Sequence, residues 1–302
     1  MRAYFEAMRL GRWPRSLALL VGCAACFLLH PGFFQGENIA TVAARAGLAF
    51  LLTWAISTAN YIINEIADAP YDAHHPTKRN RPLVRGEIRR FPFLAAGAVL
   101  ILVSLLAARL FFSPAFFYSL FALLIAGFIY NIKPVRTKDI PFLDSISESA
   151  NNPIRFFIGW FAFAPAHVMP PLALLLCWWA FGNFLMVAKR LSEFRLLQDK
   201  AGDYRRSLKR YSRNSLLAGM AASALVFFAT YLIFSAGTGR ISMIVMALPV
   251  LVYFGLFFHK TLREREIMEE PERLFKQPIF AAYSLLLAVG FLLSFLLDKP
   301  GG

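Results

Sequence analysis

The sequence predicts an all-α protein: a polytopic membrane bundle of nine transmembrane helices, in one domain spanning residues 1–302. Three observations carry that expectation. The chain is 58% hydrophobic with a mean hydropathy of +0.54, more apolar than a soluble globular chain of this length. Its apolar residues gather into nine runs of about 18–25 residues, each long enough to cross about 30 Å of hydrocarbon as a helix. Strand-like alternation of apolar and polar residues is missing, which argues against a closed barrel.

The runs lie near 16–34, 41–66, 92–112, 115–131, 144–166, 169–188, 214–235, 241–259 and 277–297. The net charge of +14 follows them. Of the 32 Lys and Arg, all but Arg45, Arg109, Arg155, Arg240 and Lys299 fall in 1–15, 69–90, 132–139, 189–213 and 260–276. These are alternate connections, and the remaining ones hold Arg240 alone. The asymmetry is an orientation signal: N-terminus in the cytoplasm, C-terminus outside. It accounts for the basic balance without nucleic acid as a partner.

In chain order, residues 1–15 form an interfacial segment ending in Arg12-Trp13-Pro14-Arg15, suited to anchoring at headgroup level or to touching a lipid phosphate. The first run is long and lacks a convincing cleavage site, so it reads as a retained helix. Its Cys23 and Cys26 form a C-x-x-C with no further ligand at metal spacing, and read as packing residues. The second run ends in a polar stripe. Asn60, Asn64, Asp68 and Asp72 recur every fourth residue, one face of a helix, with Glu65 beside them. Acids in a membrane helix are costly, about 2.5–3.5 kcal/mol each at mid-bilayer and less near the interface. A divalent cation is the simplest compensation. A loop of about twenty residues follows, long enough to suggest function, with His74, His75, Lys78, Arg79 and Arg81 suited to closing over an anion.

The third and fourth runs join at Phe112-Ser113-Pro114. The fourth exits through Tyr130, Asn131 and Lys133. The fifth enters with Asp144 and Glu148 at i, i+4, then Asn151, Asn152, Pro153 and Arg155, too polar to face lipid. The sixth exits through Lys189 and Arg190 into a basic loop, 189–213, that contains Tyr204-Arg205-Arg206 and Tyr211. Residues 260–276 read as an ordinary exposed segment, and runs seven to nine as scaffold.

Two acidic pairs at one membrane face are suited to Mg²⁺, which takes oxygen ligands and is usually shared with substrate phosphates. The expected metal ligands are Glu65, Asp68, Asp72, Asp144 and Glu148, with Asp68, Asp72 and Asp144 as the catalytic candidates. Asn64, Lys78, Arg79, Arg81, Tyr130, Lys133, Arg155, Lys189 and Arg190 are the expected substrate contacts. The chemistry indicated is transfer of a group activated as a diphosphate ester, with a lipid on one side of the reaction.

Asn64-Glu65-x-x-Asp68-x-x-x-Asp72, followed by Arg81-Pro82-Leu83, resembles the N-D-x-x-D-x-x-x-D signature of the UbiA superfamily of intramembrane prenyltransferases. Within it, His75-Pro76-x-Lys78-Arg79-x-Arg81-Pro82, Leu143-Asp144 with Arg155, and Lys189-Arg190-x-x-Glu193-x-Arg195 followed by Arg206-Ser207-Leu208 and Tyr211 are similar to its polyprenyl-phosphate phosphoribosyltransferases. The resemblance implies a UbiA-like bundle in a bacterial cytoplasmic membrane, with Mg²⁺ as cofactor and active-site loops at 69–90 and 189–213. It also implies 5-phosphoribosyl 1-diphosphate as the soluble donor and a polyprenyl phosphate as the acceptor. Two departures stand out: Glu65 replaces the usual Asp, and Glu148 makes the second motif resemble the D-x-x-x-D of the prenyltransferases. The alternative is therefore a prenyltransferase that moves a polyprenyl chain from its diphosphate to an aromatic or other acceptor. A transporter is disfavoured because the acids cluster at one face and no inverted repeat is evident.

Overall fold

The computed structural model describes residues 2–73, 78–197, 206–263 and 277–297. The described chain is helical throughout, and eight of its helices are long and apolar enough to cross a membrane. By internal contacts it divides into two compact units. The first is Met1–Thr137 with Ala150–Pro170, and the second is Lys138–Ser149 with Pro171–Gly302.

The first unit is organised by its longest helix. It contains α1 (Arg2–Ala7), a 3₁₀ segment (Leu10–Ala18), α2 (Leu19–Leu29), α3 (Ile39–Asp72), α4 (Arg90–Phe111) and α5 (Pro114–Asn131). The 34 residues of α3 make a rod of about 51 Å, against about 30 Å of hydrocarbon. Roughly 20 Å must therefore tilt or project. Asn38 caps its start by accepting the Ala40 N–H at 2.9 Å. Pro114 opens α5 with Ser113 as its cap, as the turn chemistry predicts. Asn60, the first member of the predicted stripe, packs against Gly127 of α5 and donates to the Leu123 carbonyl at 2.9 Å. Its polarity joins α3 to α5.

The fifth apolar run differs from a single span. It is two short helices, α6 (Leu143–Ser149) in the second unit and α7 (Asn151–Phe161) in the first. Pro153 has no N–H to offer the Ser149 carbonyl, so the ladder breaks one turn upstream, at Ala150. Within the first unit α7 packs tightly on α2. A methyl group at Gly22 would collide with the Phe156 carbonyl, and one at Gly159 with the Leu19 carbonyl. Inside a bilayer, close backbone approach of this kind supplies much of the association between helices. Gly159→Val is expected to separate the pair and destabilise the protein by about 1–3 kcal/mol or more, read as a lower unfolding midpoint in detergent. An unchanged midpoint would mean that the contact is dispensable. The cysteines of the C-x-x-C are free thiols, Cys26 being fully buried in α2.

The second unit also contains α8 (Leu172–Leu197), α9 (Arg213–Gly237), α10 (Ile241–Val245), α11 (Ala247–Arg263) and α12 (Pro278–Leu297). Its core centres on α8, α9 and α11, where Phe184 and Phe227 each meet Phe254 in a tilted arrangement, at 4.8 and 4.6 Å between ring centroids. Ser212 opens α9 with a reciprocal capping box to Ser215. These helices carry few charges, in keeping with a scaffold.

Candidate functional site

On α3, Glu65, Asp68 and Asp72 fall at i, i+3 and i+7, so they share one face on successive turns. Each is met by a guanidinium from another segment of the same unit. Glu65, 3% exposed, is ion-paired with Arg9 and lies 3.5 Å from Arg81. Asp72 is ion-paired with Arg81. Asp68 accepts from Arg136 at 2.9 Å. Arg136 also sits over the Tyr71 ring at 4.7 Å and donates to the Asn131 carbonyl at 3.4 Å.

Local packing explains how Arg81 arrives. Leu83 and Ile88 are buried against Ile62, Ile66 and Ala69 of α3 and Phe93 of α4. The intervening turn closes through Arg85 N–H to the Arg81 carbonyl (3.0 Å) and Glu87 N–H to the Pro82 carbonyl (2.9 Å). Gly86 sits in it at φ 75°, a conformation that favours glycine. Apolar anchoring of the loop therefore delivers a cation to the acidic face.

Among the other expected residues of this unit, Asn64, Tyr130 and Arg155 are partly buried. Arg155 donates to Ser57 Oγ at 3.4 Å. Arg79 and Lys133 are exposed. His74, His75, the Lys78 side chain, Lys200 to Arg205 and residues 264–276 lie outside the described residues. Sequence reasoning did not single out Arg9 and Arg136. Both stood in basic clusters, but nothing in a linear pattern tells which member of a cluster turns toward α3.

The second unit holds the second motif. Asp144 is fully buried and accepts four hydrogen bonds. Its Oδ1 accepts from Tyr211 Oη at 2.6 Å and from the Ser145 N–H at 2.9 Å. Its Oδ2 accepts from Arg190 Nε at 2.7 Å and from Ser207 Oγ at 3.0 Å. Arg190 is also fully buried and divides its guanidinium among three acids: Asp144, Glu148 at 2.6 Å and Glu193 at 3.1 Å. Burial, and then the neighbouring Asp144 carboxylate, push the Tyr211 phenol above its ordinary range, so it stays protonated and donates. It accepts in turn from the Phe142 N–H at 2.5 Å. Glu148, with its side chain 22% exposed, and the partly buried Lys189 are the reachable members of this group.

The fit to a divalent cation differs between the two motifs. Among the described residues no three His, Cys, Asp or Glu side chains gather closely enough to hold an ion by themselves. The α3 acids are hard oxygen donors on one face, a set that suits Mg²⁺ when substrate phosphates complete the shell. Asp144 does not fit in the same way. A carboxylate has about four lone-pair sites, and protein donors already take four.

Eight candidate spans among the described residues, with a cluster of carboxylate and guanidinium in each unit, define a multi-pass integral membrane protein with charged groups set on its helices. The chain belongs to the UbiA prenyltransferase family, whose model matches residues 18–285, and so is a membrane transferase of that family. It is 26% identical over 228 residues to a decaprenyl-phosphate phosphoribosyltransferase of Mycolicibacterium smegmatis, covering 75% of this chain and 68% of that protein. With the protein of that name from Mycobacterium tuberculosis it shares 24% identity over 214 residues, covering 70% of this chain and 66% of the relative. The fold is similar to the solved structure of a UbiA homolog from Archaeoglobus fulgidus bound to GPP and Mg²⁺, with a TM-score of 0.72 and 19% identity, covering 97% of this chain and 99% of the other.

Proposed function

We propose that the protein transfers a 5-phosphoribosyl group from 5-phosphoribosyl 1-diphosphate to a polyprenyl phosphate, with Mg²⁺ as cofactor. The observation that carries the reading is a surplus of guanidinium over carboxylate along α3. Arg9, Arg12, Arg15, Arg81, Arg136 and Arg155 all meet a helix whose acids are Glu65, Asp68 and Asp72. Two phosphorylated substrates need more cation than one would. The activity named for the two mycobacterial relatives supports the same choice of donor and acceptor.

Asn64, Asp68 and Asp72, with Glu65 assisting, hold the metal together with the donor diphosphate. When bound, Mg²⁺ neutralises the charge that develops on the departing diphosphate. Arg9, Arg81 and Arg136 exchange their carboxylate partners for phosphate oxygens, with Lys78, Arg79 and Lys133 adding charge and Tyr130 a hydrogen bond. In the second unit Asp144 and Arg190 are positioning residues. They fix α6, α8 and the 206–211 segment, so that Glu148 and Lys189 are the side chains that meet ligand. The lipid phosphate is ionised at neutral pH and needs no general base. One of its oxygens bonds to the anomeric carbon, the bond from that carbon to diphosphate breaks, and diphosphate leaves with the electron pair.

Release of diphosphate tests the reading. Purified protein with Mg²⁺ and 5-phosphoribosyl 1-diphosphate is expected to release diphosphate only when polyprenyl phosphate is added. Release from a prenyl diphosphate and an aromatic acceptor instead would replace the reading with the prenyltransferase one.

A further inference from the structure

We infer that Arg12, Arg15 and Arg155, gathered along Ser57 and Tyr61 of α3, form the site for the phosphomonoester head of the lipid acceptor, separate from the acids that hold the donor diphosphate. This rests on the reading above and adds to it where the second phosphate binds.

The 3₁₀ segment Leu10–Ala18 supplies the geometry. A 3₁₀ helix has three residues per turn, so positions three apart eclipse. Within it Arg12 and Arg15 are spaced in this way and form one row, and Arg9, in a left-handed conformation, precedes them as the capping residue. On α3, Glu65, Tyr61 and Ser57 form a facing row at intervals of four. The rungs pair in order. Arg9 meets Glu65, Arg12 lies over the Tyr61 ring at 5.4 Å, Arg15 hydrogen-bonds the Tyr61 side chain, and Arg155 of α7 reaches Ser57.

The two ends of this ladder differ in chemistry. Glu65, Asp68 and Asp72 offer carboxylate to the guanidinium groups, whereas Tyr61 and Ser57 offer hydroxyl oxygen. Guanidinium groups lined up along one stretch of α3 repel one another, and a phosphate dianion between them turns that repulsion into charge-assisted hydrogen bonds. A second observation says what the phosphate carries. Trp13, 45% exposed, meets Phe50 edge-on at 6.4 Å, and Phe50 stacks on Trp54 at 6.3 Å. This aromatic strip starts between Arg12 and Arg15 and lies along α3 on the side of Ser57 and Tyr61 remote from the acids, in a helix long and apolar enough to span the bilayer. A cationic head site continuous with an apolar strip suits a lipid phosphate better than a soluble one.

Binding measured in EDTA, with no donor present, tests the site without the reaction. The full-length protein in detergent is expected to bind polyprenyl monophosphate at least tenfold more tightly than polyprenol. Arg15→Gln and Arg155→Gln should bring that ratio close to one, Arg15→Lys should restore part of it, and Arg240→Gln should leave it unchanged. Arg12→Gln, at a partly exposed position, gives an independent reading if Arg155→Gln does not fold. Tenfold preference retained in the Arg12, Arg15 and Arg155 variants would overturn the inference. So would variants that lose ribose 5-phosphate but keep the lipid, since the row would then serve the donor. Loss of the ratio in the variants, together with a wild type that shows no phosphoribosyl transfer, would support this site and remove only the donor assignment.

Discussion

Asp68→Asn and Asp72→Asn are each expected to lower turnover at saturating Mg²⁺ by about 100-fold or more, the usual scale for removing one group that stabilises developing charge. Asparagine keeps the shape and the helix, so α3 and its packing on α4 and α5 should survive. What is lost is the anionic oxygen. At Asp72 the change also releases Arg81, and at Asp68 it releases Arg136, so donor affinity can be retained while turnover collapses. The expected pattern is a large fall in kcat with little rise in KM for the donor. Near-wild-type turnover in both variants would remove the metal role from α3.

Arg190→Ala is expected to destabilise the protein by about 3–5 kcal/mol, because it leaves Asp144, Glu148 and Glu193 clustered without the guanidinium they share. The loss should appear as a lower unfolding midpoint in detergent before any kinetic measurement is made. Arg190→Met combined with Asp144→Asn and Glu148→Gln should recover part of it, since neutral groups leave less uncompensated buried charge. If Arg190→Ala instead unfolded at the wild-type midpoint and lost only substrate affinity, Arg190 would be a phosphate ligand and not a positioning residue.

The helices and the acidic face were readable in the sequence because both are local. A run of apolar residues makes a span whatever its neighbours, and the spacing of Glu65, Asp68 and Asp72 fixes their common side. The break at Ala150 was partly visible in Pro153, but its consequence, two helices in two units, depends on the partners that α6 and α7 find. Pairings across the chain were not readable. Arg9 reaches Glu65 over 56 positions and Arg136 reaches Asp68 over 68, and only packing selects these arginines from their basic clusters. The eclipsed row was hidden for another reason. Leu10–Ala18 contains Pro14 and adopts three residues per turn, and an interfacial segment ending in Arg12-Trp13-Pro14-Arg15 carries no signal for that period. Asn60 shows the converse error, a polar residue at the right spacing that serves packing against Gly127.

The central claim is a phosphoribosyl transfer to lipid phosphate, and the lipid product tests it most directly. Protein in nanodiscs is incubated with Mg²⁺, 5-phosphoribosyl 1-diphosphate labelled in the ribose, and polyprenyl phosphate, and the lipid fraction is then extracted. The account predicts labelled polyprenyl-phosphoryl 5-phosphoribose, which disappears with EDTA and with Asp72→Asn. An unlabelled lipid fraction, alongside turnover of a prenyl diphosphate under the same conditions, would contradict it.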